Sequence, residues 1–573
     1  MYLKIFKFLD RKDKFYFYLL LFLNILTFFL EFISLASIPI FISSMITPEY
    51  LLEEIYKNKY FELSHLIEKK DLFIFSSYFV LTAFFFKNVF LIILTYLQDE
   101  YLKKLNKNIS KRLFNFYLNG PFKIHLNSNP STLARNISYE VQGATSYLYQ
   151  VLMLTRDILA LIVIFVLLAI VNFKITLGVI IILSLLLFIY LGKTRPSIKK
   201  LANFNQKTRK EINQIIFETF GAIKDIKILK KENNISDFFY SKISKYEDNY
   251  FKFKLISKLP KFILELLAIT ILIITGLVFS SYLVNLETIL PSLSVVAISL
   301  IRMIPAFNSF NANYNYLRLY NVSINLIVEE LERTNYLEKP KVSNENIFLD
   351  KKNFIKINNL TFGYNKDQNI FENLNLEISE GEKICIIGPT GSGKSTLFHL
   401  ILGLLVPKKG SIAYKGRNIF FELKDWYNKI GYISQNLYIL DNTIKNNITL
   451  NFSNNELVDQ KLLTDALSIS QLNNKIKDIP SGLETKVGMD GVKLSGGEKQ
   501  RIAIARAIYR KPKIFLMDEF TSAIDQETEE KIFNEFIKNF SKQTLIIIAH
   551  KQSIIDKCDS IWKIQNKGIV KVK

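Results

Sequence analysis

The sequence predicts an α-helical membrane domain followed by a soluble α/β domain. Hydrophobic residues make up 49% of the 573 residues, and the mean hydropathy of +0.17 is high for a soluble protein. The apolar runs that are long enough to cross a bilayer all lie before residue 311. From Phe354 onward, strand-like and helix-like segments alternate instead, as they do in α/β domains.

Six segments of the first half have the length and composition of transmembrane helices. They are residues 15–46, 72–97, 144–173, 175–191, 259–284 and 292–310. The second and fourth segments run on into polar helical stretches that are expected to extend into the cytosol. We therefore divide the chain into a transmembrane domain of six helices (1–328), a polar linker (329–353) and an α/β domain (354–573).

The distribution of basic residues predicts the orientation in the membrane. The connections after the second and fourth segments are rich in Lys and Arg, whereas residues 285–290 contain neither. By the positive-inside rule, both termini are expected in the cytosol of a multi-pass protein of the inner (cytoplasmic) membrane. The same rule accounts for the net charge of +22, so no nucleic acid is expected as a partner. The first segment is longer than a signal-peptide core and is expected to remain as an anchor.

A glycine-rich loop connects a strand to a helix near the start of the α/β domain. Apolar residues 384–387 have the length of a strand, and residues 397–405 read as a buried helix. A loop of this composition can turn its backbone N–H groups toward phosphate oxygens, with the positive end of the helix dipole behind them. The expected phosphate-binding residues are Gly388, Pro389, Thr390, Gly391, Ser392, Gly393, Lys394, Ser395 and Thr396. Lys394 would meet the outer phosphates, and the Ser395 hydroxyl would bind Mg²⁺.

Two adjacent carboxylates follow a second apolar strand. Residues 514–517 end in Asp518 and Glu519. A strand of this kind beside the phosphate loop would place Asp518 on the metal ion and Glu519 near the γ-phosphate, where it could act as the base that polarises water. Taken alone, this pattern also fits an ordinary strand end. The cysteines, Cys385 and Cys558, indicate neither a disulfide framework nor a metal site.

The segment between these two elements carries a second glycine motif, Leu-Ser-Gly-Gly-Glu-Lys-Gln at residues 494–500, before a helix expected near Arg501. This motif resembles the signature of ATP-binding cassette (ABC) proteins, and the loop at 388–396 resembles their Walker A motif. The resemblance implies a second set of ATP contacts from Ser495, Gly496, Gly497 and Glu498.

Other positions match the family one at a time across residues 354–573. Tyr364 resembles the aromatic residue that stacks on adenine, Gln435 the residue that senses Mg²⁺ and the γ-phosphate, and His550 the switch histidine. Asp525 closes a segment, 522–525, that is similar to the D-loop. The resemblance thus implies ATP and Mg²⁺ as cofactors, with Glu519, His550, Gln435 and Asp525 as catalytic residues and Ser395, Gln435 and Asp518 as metal contacts.

Six spans followed by one cassette resemble an ABC exporter half-transporter. In that family ATP lies between the Walker A motif of one cassette and the signature of another, so a homodimer is implied. Residues 129–136 and 218–227, at the ends of the polar extensions, are expected to dock the cassette, although they also read as solvated loops.

The transported molecule is suggested by a closer resemblance to bacterial lipid-linked oligosaccharide flippases. It depends on Glu31 in the first span, on residues 48–70 as a possible outer amphipathic helix, and on residues 302–305 in the sixth span. Charges inside spans are costly and tend to face cavities, so Glu31, Lys87 and Arg302 are candidate substrate residues. They could instead pair with one another, and residues 48–70 could be an ordinary loop.

Alternative functions remain open at this point. The chain could export drugs, other lipids or peptides, or it could be an ABC-type ATPase that regulates a membrane partner without transport. A DNA-repair cassette does not fit, because six membrane spans are predicted and the long coiled coil of that class is missing from the pattern.

Overall fold

The computed structural model divides the chain into two compact units. We call them the helical unit, Met1–Gly120 with Ile124–Leu337, and the α/β unit, Pro121–Lys123 with Glu338–Lys573. The structure describes residues 6, 9–46, 48–49, 69–126, 128–171, 173–281, 286–336, 354–365, 368–435, 437–452, 457–488 and 491–573.

The helical unit is built from long helices. In chain order the helices are α1 (Arg11–Ile46), α2 (Lys69–Asn119), α3 (Lys123–Leu126), α4 (Pro130–Arg135), α5 (Val141–Val171), α6 (Phe173–Gly221), α7 (Ile223–Ile228), α8 (Glu232–Ser281) and α9 (Leu286–Tyr336), and a π-helical turn, Asn136–Glu140, leads into α5.

Four stretches of the described residues are long and apolar enough to cross a membrane: Arg11–Ile46, Asp71–Asn119, Pro130–Ile170 and Ser294–Arg333. The predicted fourth and fifth spans fall on α6 and α8, helices of 49 and 50 residues.

Helices α5 and α9 pack closely along the interior of the helical unit. A Cβ atom on Gly143 would lie 2.6 Å from the Ser323 hydroxyl oxygen, so only glycine allows this approach.

Large apolar side chains such as Phe75, Phe85 and Ile92 are exposed on α2. Apolar side chains that face outward from a long helix are expected where the surrounding medium is lipid.

The linker predicted from the sequence begins later in the structure than expected. Helix α9 continues through Tyr336, so the first part of the segment predicted as a linker (329–353) is helical, and residues 337–353 lie outside the described part. Of the predicted outer amphipathic segment 48–70, residues 50–68 are likewise outside the described residues. The short helices α4 and α7 overlap the predicted docking segments 129–136 and 218–227.

The α/β unit contains two sheets. The strands are β1 (Ile355–Phe362), β2 (Phe371–Ile378), β3 (Lys383–Ile387), β4 (Lys409–Tyr414), β5 (Arg417–Asn418), β6 (Ile430–Ile433), β7 (Ile514–Asp518), β8 (Thr544–Ile548), β9 (Ser560–Gln565) and β10 (Gly568–Lys571). The helices are α10 (Lys394–Ile401), α11 (Leu423–Tyr427), α12 (Ile444–Thr449), α13 (Gln460–Ile469), α14 (Asn473–Lys477), α15 (Gly496–Tyr509), α16 (Gln526–Asn539) and α17 (Gln552–Ile555).

The larger sheet has the order β10-β9-β3-β8-β7-β6. All its neighbouring strands are parallel except β10 and β9. Strands β7 and β8 are buried along their whole length, as expected where helices cover both faces of a parallel sheet. Because parallel strands end at the same edge, the residues that follow β3, β6, β7 and β8 come together there. The smaller sheet, β2-β1-β4-β5, is antiparallel.

Candidate functional site

The glycine-rich loop joins β3 to α10 at this shared edge. Gly391 and Gly393 have φ angles of +81° and +99°, in the left-handed region that favours glycine. A Cβ on Gly393 would also lie 2.8 Å from Ile370 and 2.9 Å from the Phe371 ring. The loop conformation therefore requires these glycines, and helix α10 begins at Lys394 and ends at Ile401 rather than spanning 397–405.

Two side chains of the loop are arranged to meet an anion. The Lys394 ammonium donates to the carbonyl oxygens of Gly388 and Pro389 at 2.8 and 3.1 Å, which holds the charge over the loop. The Ser392 hydroxyl is buried and makes no hydrogen bond with the described residues. A buried polar atom without a partner is costly, and a phosphate oxygen in the loop would satisfy it.

Asp518, the last residue of β7, meets the start of α10 from the neighbouring side. Burial raises the pKa of Asp518, the Ser395 hydroxyl lowers it, and the adjacent Glu519 carboxylate raises it. A carboxylate and a hydroxyl are ligands that suit Mg²⁺, whose charge would favour the ionised carboxylate. The residues present therefore fit the expected metal.

Glu519 lies between two other predicted site residues, Gln435 and His550. Its Oε2 accepts from the Gln435 amide at 2.7 Å, and its Oε1 lies 3.2 Å from His550 Nε2. Its φ of +47° is a conformation that costs a residue with a side chain about 1–2 kcal/mol. A strained, hydrogen-bonded carboxylate at the end of a buried strand is positioned for a specific task.

Tyr364 lies near the helix that follows the loop. Its hydroxyl is 3.3 Å from the Thr396 hydroxyl, and its side chain is 45% exposed. The ring therefore has an accessible surface beside the loop, and its stacking on adenine remains a prediction.

The second glycine motif forms the start of α15, which begins at Gly496 rather than near Arg501. Ser495 caps the helix: its hydroxyl accepts from the Glu498 N–H, and the Glu498 carboxylate accepts from the Ser495 N–H. This reciprocal pair is a capping box, and burial, which would raise the pKa of Glu498, is outweighed by these bonds and by Lys475, so the pKa is lowered. A phosphate contact from this motif remains a prediction.

Three positioning residues were not expected from the sequence. The Gln500 side chain donates to Ser522 at 2.8 Å and accepts from the Ala523 N–H at 2.9 Å, so it joins α15 to the segment 522–525. Lys551 forms an ion pair with buried Glu529, which also accepts from Thr521 at 3.1 Å. Only the adjacency of Lys551 to His550 could have suggested its importance.

Asp525, predicted as catalytic, has a visible structural role. It is the N-cap of α16 and accepts from the Thr528 N–H at 2.9 Å, and this bond lowers its pKa. The structure brings Glu519, Gln435 and His550 together and shows Asp525 as a helix cap, so its catalytic role remains a prediction.

The three candidate substrate residues of the helical unit are linked through Lys87 and the ring of Phe84. The Lys87 ammonium lies 3.7 Å from the Glu31 carboxylate and 4.6 Å from the centroid of Phe84. The Arg302 guanidinium lies 5.8 Å from the same centroid. Lys87 is 4% exposed and Glu31 21%. We call Glu31, Phe84, Lys87 and Arg302 the charge cluster; it contains two positive charges and one negative charge.

Comparison with known families agrees with this arrangement. A family described as the ABC transporter transmembrane region matches residues 21–305, and a family described as ABC transporter matches residues 371–522. A solved structure described as a bacterial Atm1-family ABC exporter with ATP bound superposes with a TM-score of 0.73 at 20% identity, covering 96% of this chain and 93% of that one. The chain has the ABC exporter fold, and it belongs to the ABC transporter family.

Individual relatives match to different extents. The ATP-dependent permease MDL1 of Candida albicans is 38% identical over 36% of this chain and 30% of its own length. The ATP-dependent lipid A-core flippase of Ralstonia nicotianae is 24% identical over 83% of this chain and 80% of its own length. In the comparisons with MDL1 and four other curated relatives, the match covers 28% to 63% of the relative's own length.

Proposed function

We propose that this chain is an ATP-driven exporter that moves a lipid-linked oligosaccharide, or a similar amphipathic lipid, across the inner membrane with both termini in the cytosol. The single observation that supports this choice of cargo is the charge cluster. A net positive group among apolar helices, with Lys87 buried, is maintained at a cost of roughly a few kcal/mol, and it suits the pyrophosphate of a lipid carrier.

The α/β unit supports the ATPase part of the proposal. Ser392, Lys394 and the loop N–H groups would bind the phosphates, and Ser395 with Asp518 would hold Mg²⁺. When bound, Mg²⁺ neutralises charge on the phosphate oxygens. Glu519 would accept a proton from the attacking water. Gln435 and His550 would orient the two carboxylate oxygens of Glu519 for this step.

We further propose a homodimer, because the loop and the second glycine motif each provide half of a site in this family. The arrangement can be tested with mixed dimers that pair a Lys394→Ala copy with a Ser495→Arg copy. Such dimers should keep one intact site and therefore bind more ATP than dimers damaged at both sites. Equal binding would contradict the pairing.

The cargo can be tested by reconstitution of the purified chain into proteoliposomes. We expect ATP-dependent flipping of polyprenyl-pyrophosphate glycans that exceeds the export of an amphipathic dye. Faster dye export would favour the alternative of a drug, lipid or peptide exporter. ATP hydrolysis with no movement of either molecule would favour an ATPase that regulates a membrane partner.

A further inference from the structure

A cavity lies in the helical unit, and none of the charge-cluster residues lines it. It has a volume of about 380 Å³, within the range of small-molecule sites. Its lining comes from the π-helical turn and from helices α5, α6, α8 and α9. Five of the lining residues are tyrosines: Tyr139, Tyr246, Tyr250, Tyr316 and Tyr320.

Four of these tyrosines form two rows of parallel rings. On α8, the ring planes of Tyr246 and Tyr250 are 8° apart with centroids at 6.2 Å. On α9, those of Tyr316 and Tyr320 are 18° apart with centroids at 6.1 Å. A spacing of four residues places both members of each pair on the same helix face. The cavity therefore has flat apolar surfaces with hydroxyl groups at their edges.

The polar lining includes a buried acceptor that is not satisfied. The Asn205 amide oxygen makes no hydrogen bond with the described residues, although Asn205 is buried and lines the cavity. Buried amide oxygens normally have a partner. A ligand donor that reached this oxygen would supply the missing hydrogen bond.

The charges of the lining do not favour an anion. Arg209 lies over the rings of Tyr246 and Tyr139, at 5.5 and 5.9 Å, and donates to the Tyr246 hydroxyl. Glu140 and Glu247 contribute carboxylates, and Glu140 is paired with Arg135 at 3.6 Å. A phosphate would meet one positive and two negative side chains in the lining, whereas an uncharged ring with an apolar face and several hydroxyl groups would find complementary partners.

We propose that this cavity, which we call the tyrosine cavity, binds sugar rings of the cargo. The inference rests on the proposed function and specifies its substrate class. On α9, Tyr316 follows Arg302 by 14 residues, about 21 Å at the helical rise. A cargo with its phosphates at the charge cluster would need several linked sugars to reach the tyrosine cavity, so an oligosaccharide is favoured over a single sugar.

The direct test uses water-soluble oligosaccharides, maltotetraose and chitotetraose, with the purified full chain. Saturation-transfer NMR should show magnetisation reaching the C–H protons of at least one of them, and calorimetry gives its affinity. Asn205→Leu and Tyr250→Leu should each weaken binding about tenfold, through loss of an acceptor and of a stacking surface respectively. Tyr240→Leu is the matched control, because Tyr240 is on the same helix but 70% exposed and outside the lining.

No binding of either sugar to the wild-type chain, or equal binding by all three variants and wild type, would overturn the proposal. Because the two cavity variants lie on different helices and remove different chemistry, one folded variant is enough to decide. In proteoliposomes, the cavity variants should slow flipping of a polyprenyl-pyrophosphate oligosaccharide but not of polyprenyl pyrophosphate without sugar. If the cavity variants slow the flipping of both lipids equally, that result would also contradict the proposal. If the wild-type chain flips neither lipid, the proposed cargo is wrong, and the soluble sugars still decide whether the tyrosine cavity binds sugars.

Discussion

The two units hold their functional groups in different ways. In the α/β unit, the groups lie on short loops at one edge of a buried parallel sheet, and backbone geometry fixes them: Gly393 cannot accept a Cβ, and Glu519 has a left-handed φ. In the helical unit, the charge cluster joins Glu31, Lys87 and Arg302 from three long helices by side chains alone. The first arrangement leaves a contiguous motif in the sequence, whereas the second leaves isolated charges.

This difference predicts where substitutions act. A change in the α/β unit should affect a chemical step that is common to the family. A change in the charge cluster should affect the choice and movement of the cargo.

Glu519→Gln should reduce ATP turnover by about 10²–10⁴-fold, because the amide keeps the shape but cannot accept a proton. Nucleotide affinity should be retained. Phosphate release and ATP affinity, measured on the same preparation, check both parts. Turnover near that of the wild type would remove Glu519 from the catalytic role.

Lys394→Ala should weaken ATP binding by about ten- to a hundredfold, since it deletes a charged hydrogen bond to phosphate. The measurement is equilibrium binding of ATP to the full chain. Lys542→Ala, a change of an exposed lysine of the same unit, is the control and should bind normally. Unchanged affinity in Lys394→Ala would contradict the role of the loop.

Lys87→Ala should lower the yield of folded protein, because it leaves the Glu31 carboxylate without its ion-pair partner in an apolar environment. Glu31→Gln combined with Lys87→Gln should restore the yield, since both charges are then absent. Size-exclusion chromatography of the purified variants measures it. Full yield from Lys87→Ala would show that the ion pair is not structurally important.

Asp525→Ala should lower stability by about 1 kcal/mol through loss of the helix cap, which is a shift of about 2–4 °C in the midpoint of thermal unfolding for a domain of this size. Asp525→Asn keeps a capping oxygen and should unfold like the wild type. If the Asn variant is stable but hydrolyses ATP much more slowly, Asp525 is also catalytic, as the family resemblance predicts.

The sequence was most informative where backbone requirements are strict. The strand, loop and helix around residues 388–396, the carboxylates after β7 and the membrane-spanning character of the first half could be predicted, because glycine positions and long apolar runs have few alternative explanations. Helix α15 begins earlier than the expected Arg501, because the capping box of Ser495 and Glu498 starts it at Gly496.

Contacts between side chains distant in sequence could not be predicted. Gln500 bonds to Ser522, and Glu529 pairs with Lys551, in each case across 22 residues of the chain. The pairing of Lys87 specifically with Glu31, and the five tyrosines of one cavity, depend on how helices face one another. Single charges or rings in long helices do not encode that information locally.

We propose that the α/β unit supplies the energy and that the charge cluster engages the cargo. The most direct test measures ATP hydrolysis and flipping of a polyprenyl-pyrophosphate oligosaccharide in the same proteoliposomes for wild type, Glu519→Gln and Arg302→Ala. We predict that Glu519→Gln abolishes both activities, whereas Arg302→Ala reduces flipping about tenfold, as expected for loss of a charged contact, and leaves ATP hydrolysis largely intact. Normal flipping by folded, ATP-hydrolysing Arg302→Ala would contradict the claim.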